Sequence, residues 1–131
     1  MRSAGMRGRG TAGEVTGAVL LLPVVVTMVF LVIQAALVYH ARSVVAAAAE
    51  DAARTAQAEG GSAAGGRAVA EELLRGSDGL LPAPSVQIDR TSTAVTVTVS
   101  GQVRGPIPWL HPTVTASAGG PVERFVPESE R

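Results

Sequence analysis

Residues Gly17–Tyr39 read GAVLLLPVVVTMVFLVIQAALVY. The run carries no charged side chain, and before Tyr39 its hydrogen-bonding side chains are Thr27 and Gln34. At about 1.5 Å rise per residue, its roughly 23 residues make a helix near 34 Å long, enough to cross a hydrocarbon core of about 30 Å. A helix is the only single segment that satisfies its own backbone in lipid. A chain this short cannot surround such a helix with protein on every side, which disfavours a buried core helix. A cleaved secretory signal is the competing reading, with Arg2, Arg7 and Arg9 as its basic region and Ala46–Ala49 as small residues for cleavage. The apolar run exceeds the roughly 7–15 residues of a signal core, and His40 and Arg42 separate it from the alanines, so an uncleaved anchor is expected.

Outward from the span, the N-terminal side is short. Residues 1–12 are basic and glycine-containing and are expected to form a disordered cytoplasmic tail. Arg2, Arg7 and Arg9 precede the span, whereas Arg42 and Arg54 follow it, which favours a cytoplasmic N-terminus and a C-terminal part outside. Gly13 and Gly17 stand in GxxxG spacing, which lets helices approach closely in lipid. Glu14, expected in the first helical turn, is either solvated at the headgroups near the positive end of the helix dipole or paired with a cation of a neighbouring subunit. Pro23 removes the donor for the carbonyl of Val19, so a kink or loosened turn is expected there. Gln34 either hydrogen-bonds across a helix interface or reaches toward the outer headgroups.

On the C-terminal side the helix should not stop at Tyr39. Residues 40–59, HARSVVAAAAEDAARTAQAE, are dominated by alanine, the strongest helix former, and nothing interrupts them before Gly60-Gly61. His40, Ser43, Glu50, Arg54 and Gln57 make a polar stripe. Val44, Val45, Ala48, Ala52 and Ala56 form a shallow small-residue face, suited to close packing against another helix or a small sheet. Glu50 and Arg54 stand at i,i+4 in the favourable order. A membrane-to-water helix over 13–59 is therefore expected, its packing candidates being Gly13, Glu14, Gly17, Pro23, Gln34, Ala48 and Ala52.

The remainder is a small domain over 60–126, with a loose tail at 127–131. Gly60–Gly66, GGSAAGG, reads as a flexible break. A short helix follows over about Arg67–Arg75, with Val69, Ala70, Leu73 and Leu74 on one face and Gly76 as C-cap. The period then changes to two. SVQIDR, TAVTVTVS and TVTASA read as three strands of a half-buried antiparallel sheet. The connection GPIPWLHP is proline-rich. Its Trp109 is expected to plug the apolar face of the sheet, or else to touch the membrane interface or a partner. Beyond a Gly-Gly-Pro break, VERFV would add a short edge strand. The fold class expected is α+β in a pilin-like layout: a long N-terminal transmembrane helix, a second helix and a three-stranded antiparallel sheet.

Composition excludes several functions. Formal net charge is zero and there is no cysteine, so nothing points to nucleic acid, a disulfide framework, a thiolate metal site or a thiol nucleophile. His40 and His111 have no carboxylate at ligand spacing. GGSAAGG follows a helix and lacks the lysine of a phosphate loop, and no serine stands in a nucleophile elbow. No catalytic, cofactor-binding or metal residue is assigned, and no enzymatic activity is expected.

RGTAGEVTGAVLLLPVVV followed by LVYHARSVVAAAAEDAARTA resembles the TadE-like proteins of bacterial Tad (Flp-type) pilus systems. The matching features are Arg9-Gly10, Glu14, Pro23, Tyr39 with Ala41-Arg42, and Ala52-Ala53-Arg54. The short β-rich remainder and the ending GPVERF are similar to the actinobacterial branch. One feature departs: Gly17 stands where the family usually has its glutamate, and Glu14 lies one turn earlier. No cleavage site for a prepilin-type peptidase stands at the offset the family uses. The resemblance implies a single-pass cell-membrane protein, a minor pilin-like or assembly component of a Tad pilus or related secretion apparatus. Its partners would be membrane lipid, Tad pilus or inner-membrane assembly proteins, and further copies of itself. The alternatives are an exported soluble binding module and a bitopic membrane regulator.

Overall fold

The computed structural model describes residues 10–124. The tail read at 127–131, the end of VERFV and residues 1–9 of the basic tail lie outside the described residues. The elements in chain order are α1 (Gly10–Gln57), α2 (Ala63–Arg75), β1 (Ser85–Arg90), β2 (Ala94–Gln102) and β3 (Thr113–Pro121). The mixed α+β class, the long apolar helix, the short second helix and the antiparallel sheet are those expected.

Helix α1 runs unbroken through Pro23 for 48 residues. It takes in Gly10–Ala12, which the sequence placed in a disordered tail. Because it begins at Gly10, Glu14 stands in the second turn rather than the first. Alanine and long apolar side chains lose little freedom in a helix, and nothing before Gly60 breaks the run. The hydroxyls of Thr16 and Thr27 donate to the carbonyls of Ala12 (2.8 Å) and Pro23 (2.7 Å), so the lower helix hides its own polar groups.

The turn after α1 uses Gly60 at φ 76°, a left-handed conformation open to glycine. The expected break at Gly60–Gly66 is shorter than its glycines imply. Ser62 caps α2, its Oγ accepting from the Gly65 N–H at 3.0 Å, and the helix starts at Ala63. Gly66 serves packing rather than flexibility. It is buried, and a Cβ there would stand 2.7 Å from the Ala52 carbonyl, 3.2 Å from Ala56 Cβ and 3.3 Å from Ile88 Cδ1. The buried face of α2 is Gly66, Ala70 and Leu74. Leu73, expected on that face, is exposed. Gly76 does end α2, but with helical φ −67° rather than a left-handed cap.

The strands form an antiparallel meander in the order β1-β2-β3. Val86 pairs with Val99, Ile88 with Val97, and across the other ladder Val97 pairs with Ala118 and Val99 with Ala116. The outer face is hydroxyl-rich, with Thr98 Oγ1 and Ser117 Oγ 3.0 Å apart. Strand β3 continues through Gly119, Gly120 and Pro121, which the sequence marked as a break. Gly119 pairs opposite Thr96, and an added Cβ would run into the Val95 carbonyl. Val122–Arg124 are not in a strand. Instead the Val122 N–H reaches the Thr93 carbonyl (2.9 Å) and the Glu123 N–H the Gln57 carbonyl (3.0 Å).

The core lies where the alanine half of α1 meets α2 and the sheet. Ala41, Val45, Ala48, Ala49, Ala52 and Ala56 are fully buried beside Ala70, Leu74, Leu81, Val95, Val97, Val99, Val103 and Val114. Small side chains on α1 let its backbone come close to α2 and the strands, so contact density replaces side-chain bulk. Arg90 Nε donates to the Ala56 carbonyl at 3.1 Å, satisfying an acceptor at the end of α1.

Candidate functional site

The lower half of α1 is the opposite of its upper half. From Val15 to Ile33 every large apolar side chain is exposed, from Ile33 at 42% to Leu20 at 69%. Burial on the helix begins at Gln34, which is 4% exposed, and the sheet and α2 then cover one face up to Ala56. From Glu14 to Gln34 the helix spans about 30 Å, the thickness of a hydrocarbon core. Among the described residues, this is the one helix long and apolar enough to cross a membrane.

The packing candidates divide between these halves. Apart from their own helix backbone and chain neighbours, Gly13 and Gly17 have no atom of the described residues within 4 Å of where a Cβ would stand, so their faces are open to a neighbouring helix. Glu14 is exposed beside them. Pro23 lies on the exposed half, within the continuous helix. Ala48 and Ala52 lie at the other extreme. Both are fully buried inside the chain's own domain and offer no surface to a partner.

Gln34 was open between a helix interface and the headgroups, and the structure places it against a loop. It packs under Gly105, where a Cβ would stand 2.9 Å from its Nε2. Neither its Nε2 nor its Oε1 finds a hydrogen-bond partner. A buried amide left so costs about 1–3 kcal/mol.

Trp109 does not plug the sheet. It is 84% exposed, the most exposed large apolar side chain described. The apolar face of the sheet is instead packed against α1 and α2. The β2–β3 connection, residues 103–112, runs the other way, down the side of α1. It is pinned at its base by the Val103 N–H to the Pro112 carbonyl and the Arg104 N–H to the Leu80 carbonyl, both 2.8 Å. Its tip, Pro106–Trp109, forms with Thr27 and Phe30 an apolar cleft of about 260 Å³. The sequence showed the apolar loop but not its direction. The signal that could have given it is Gln34, the one amide in the run, seven residues above Thr27 on α1.

Among the described residues no group of three histidine, cysteine, aspartate or glutamate side chains is placed to hold a metal ion. Arg54 bridges to Glu50 (3.6 Å) and Asp51 (3.3 Å) on the exposed side of α1. A second, polar cleft of about 550 Å³ lies between α2 and β1, lined by Arg67, Glu71, Arg75 and Asp78 among others.

Fold and surface together define a class: a small α+β domain built directly onto the extension of a helix fit to anchor it in a membrane. Residues 18–54 match the family model described as TadE-like protein, the family that the sequence resembles; Pro23, Tyr39 with Ala41-Arg42, and Ala52-Ala53-Arg54 lie within the match, and Arg9-Gly10 and Glu14 lie before it. The match takes in most of the exposed apolar half of α1 and most of its buried alanine half, and ends before α2 and the sheet. No curated protein and no solved structure matches the chain.

Proposed function

We propose that the protein is a single-pass cell-membrane component of a Tad (Flp-type) pilus or related secretion apparatus, either a minor pilin-like subunit or an assembly factor. Its N-terminus faces the cytoplasm and its α+β domain lies outside. It acts by helix packing, without catalysis. The observation that carries this reading is that the TadE-like match, residues 18–54, runs from the exposed apolar half of α1 into its buried alanine half. Contact with the apparatus falls to the open lower helix around Gly13, Glu14 and Gly17, and to the outer face of the domain. The alanine face is already occupied within the chain.

The exported soluble module fares poorly on physical grounds. Cleavage near Ala49 would cut α1 in its interior and remove Ala41, Val45 and Ala48 from the core. A domain this small has little other apolar surface to hold it together.

The test is affinity purification of the full chain from detergent-solubilised membranes, with the captured proteins identified by mass spectrometry. Recovery of Tad pilus or inner-membrane assembly proteins is expected. A preparation that retains the intact chain but captures none of them contradicts the reading.

A further inference from the structure

We propose that the β2–β3 loop is a second membrane contact: its tip, Pro106–Leu110, inserts into the leaflet on the domain's side, with Trp109 as the interfacial anchor. This rests on the anchoring of α1 in a bilayer.

Height along α1 is the first support. The loop tip meets Thr27 and Phe30, which lie about 6–10 Å below Gln34 along the helix axis, the depth to which interfacial segments bury their apolar faces. Burial by the domain starts at Gln34, so the apolar length available to lipid ends near that residue, and the tip lies inside it. Placing the membrane boundary higher, at Tyr39, would only sink the loop deeper.

The loop's chemistry is the second support. Ile107, Trp109 and Leu110 are grouped at its tip, and Trp109 and Leu110 are exposed. The other hairpin of the sheet turns through Thr91-Ser92-Thr93, which is polar. Pro106 and Pro108 have no N–H to desolvate, and the Leu110 N–H is already bonded to the Ile107 carbonyl at 3.1 Å. Arg104 and His111, both exposed, flank the tip in sequence and carry the polar groups that headgroups favour. Tryptophan is enriched at this level of membranes because its ring is apolar and its N–H wants a polar partner. The cleft between the tip and Phe30 accepts part of an acyl chain.

The chain has one tryptophan, so its fluorescence reports on the loop directly. The full chain is placed in nanodiscs of phosphatidylcholine and phosphatidylglycerol, with bromines carried near either the headgroup end or the methyl end of the acyl chains. Expected is a blue-shifted emission, loss of most of its intensity with the shallow bromines, much less with the deep ones, and several-fold weaker quenching by iodide than for free tryptophan. Ile107→Asp is expected to lift the loop and restore iodide access while far-UV circular dichroism stays unchanged. Emission that iodide quenches freely and shallow bromines leave intact overturns the proposal. Emission shielded from both quenchers also overturns it, since protein rather than lipid then covers Trp109. Resistance of the chain to alkaline extraction from vesicles is measured in parallel. It reports on α1 alone, so a failed anchor is distinguished from a loop that stays in water.

Discussion

One helix is used in two opposite ways. Between Val15 and Ile33, α1 carries bulky apolar side chains that the rest of the chain leaves exposed. Between Ala41 and Ala56 alanine is the commonest residue, and one face of the helix is buried. The comparison teaches that hydrophobicity alone does not predict burial. Bulk suits a solvent of mobile acyl chains, where no partner backbone has to approach. Alanine suits a partner that must come close, as α2 does at Gly66. Continuity between the halves means that the domain is joined to the apolar half without a hinge.

The sharpest way to break this comparison is to put the same charge in each half. Ala52→Asp buries an unpaired carboxylate in the core and should cost the domain about 3–5 kcal/mol. Circular dichroism should then report loss of α2 and the sheet, while the chain stays with membranes. Met28→Asp should do the reverse, disfavouring insertion by about 3 kcal/mol and leaving the domain folded. If both substitutions act on the same property, the division into halves is wrong.

A smaller effect sharpens the packing side. Gly66→Ala sets the new methyl against the Ala52 carbonyl, 2.7 Å away. Overpacking of about 1–3 kcal/mol should exceed the gain of about 1 kcal/mol in helix propensity, so denaturant midpoints fall. Gly17→Ala, with open space around it, should leave domain stability unchanged. Next in size is Ser62→Ala, which removes the cap of α2 and should cost about 1 kcal/mol in the same unfolding assay. Smallest is Arg54→Ala. Its partners are exposed, with side-chain exposures of 74% and 60% in the Glu50 pair, and a loss under about 0.5 kcal/mol is expected even at low salt.

The span, its alanine continuation and the three strands could all be read from the chain, because each follows from local periodicity. Val95, Val97 and Val99 alternate with threonines, and no competing helical pattern overlaps them. What escaped reading depends on contacts distant in sequence. Gly66 and Gly119 look like breaks, yet both are places where another backbone comes too near for a side chain. Helical periodicity also could not tell that α2 buries Gly66, Ala70 and Leu74 and leaves Leu73 out, a choice set by how closely α2 approaches α1 at Gly66. For the candidate site, Gly13, Glu14 and Gly17 were legible as positions at the start of the long apolar helix. The burial of Gln34 beneath Gly105 and the outward turn of Trp109 were not, since both follow from the direction of one loop.

Because the chain has no cysteine, single spin labels can be placed along α1 by substitution of exposed residues and read by power saturation in nanodiscs. Labels at Val19, Val26 and Val32 are predicted to relax strongly with oxygen and hardly at all with a water-soluble nickel chelate, and labels at Glu50 and Arg54 to do the opposite. Nickel access at Val26 comparable to that at Glu50 would contradict the account, since the exposed apolar half of α1 would then lie in water.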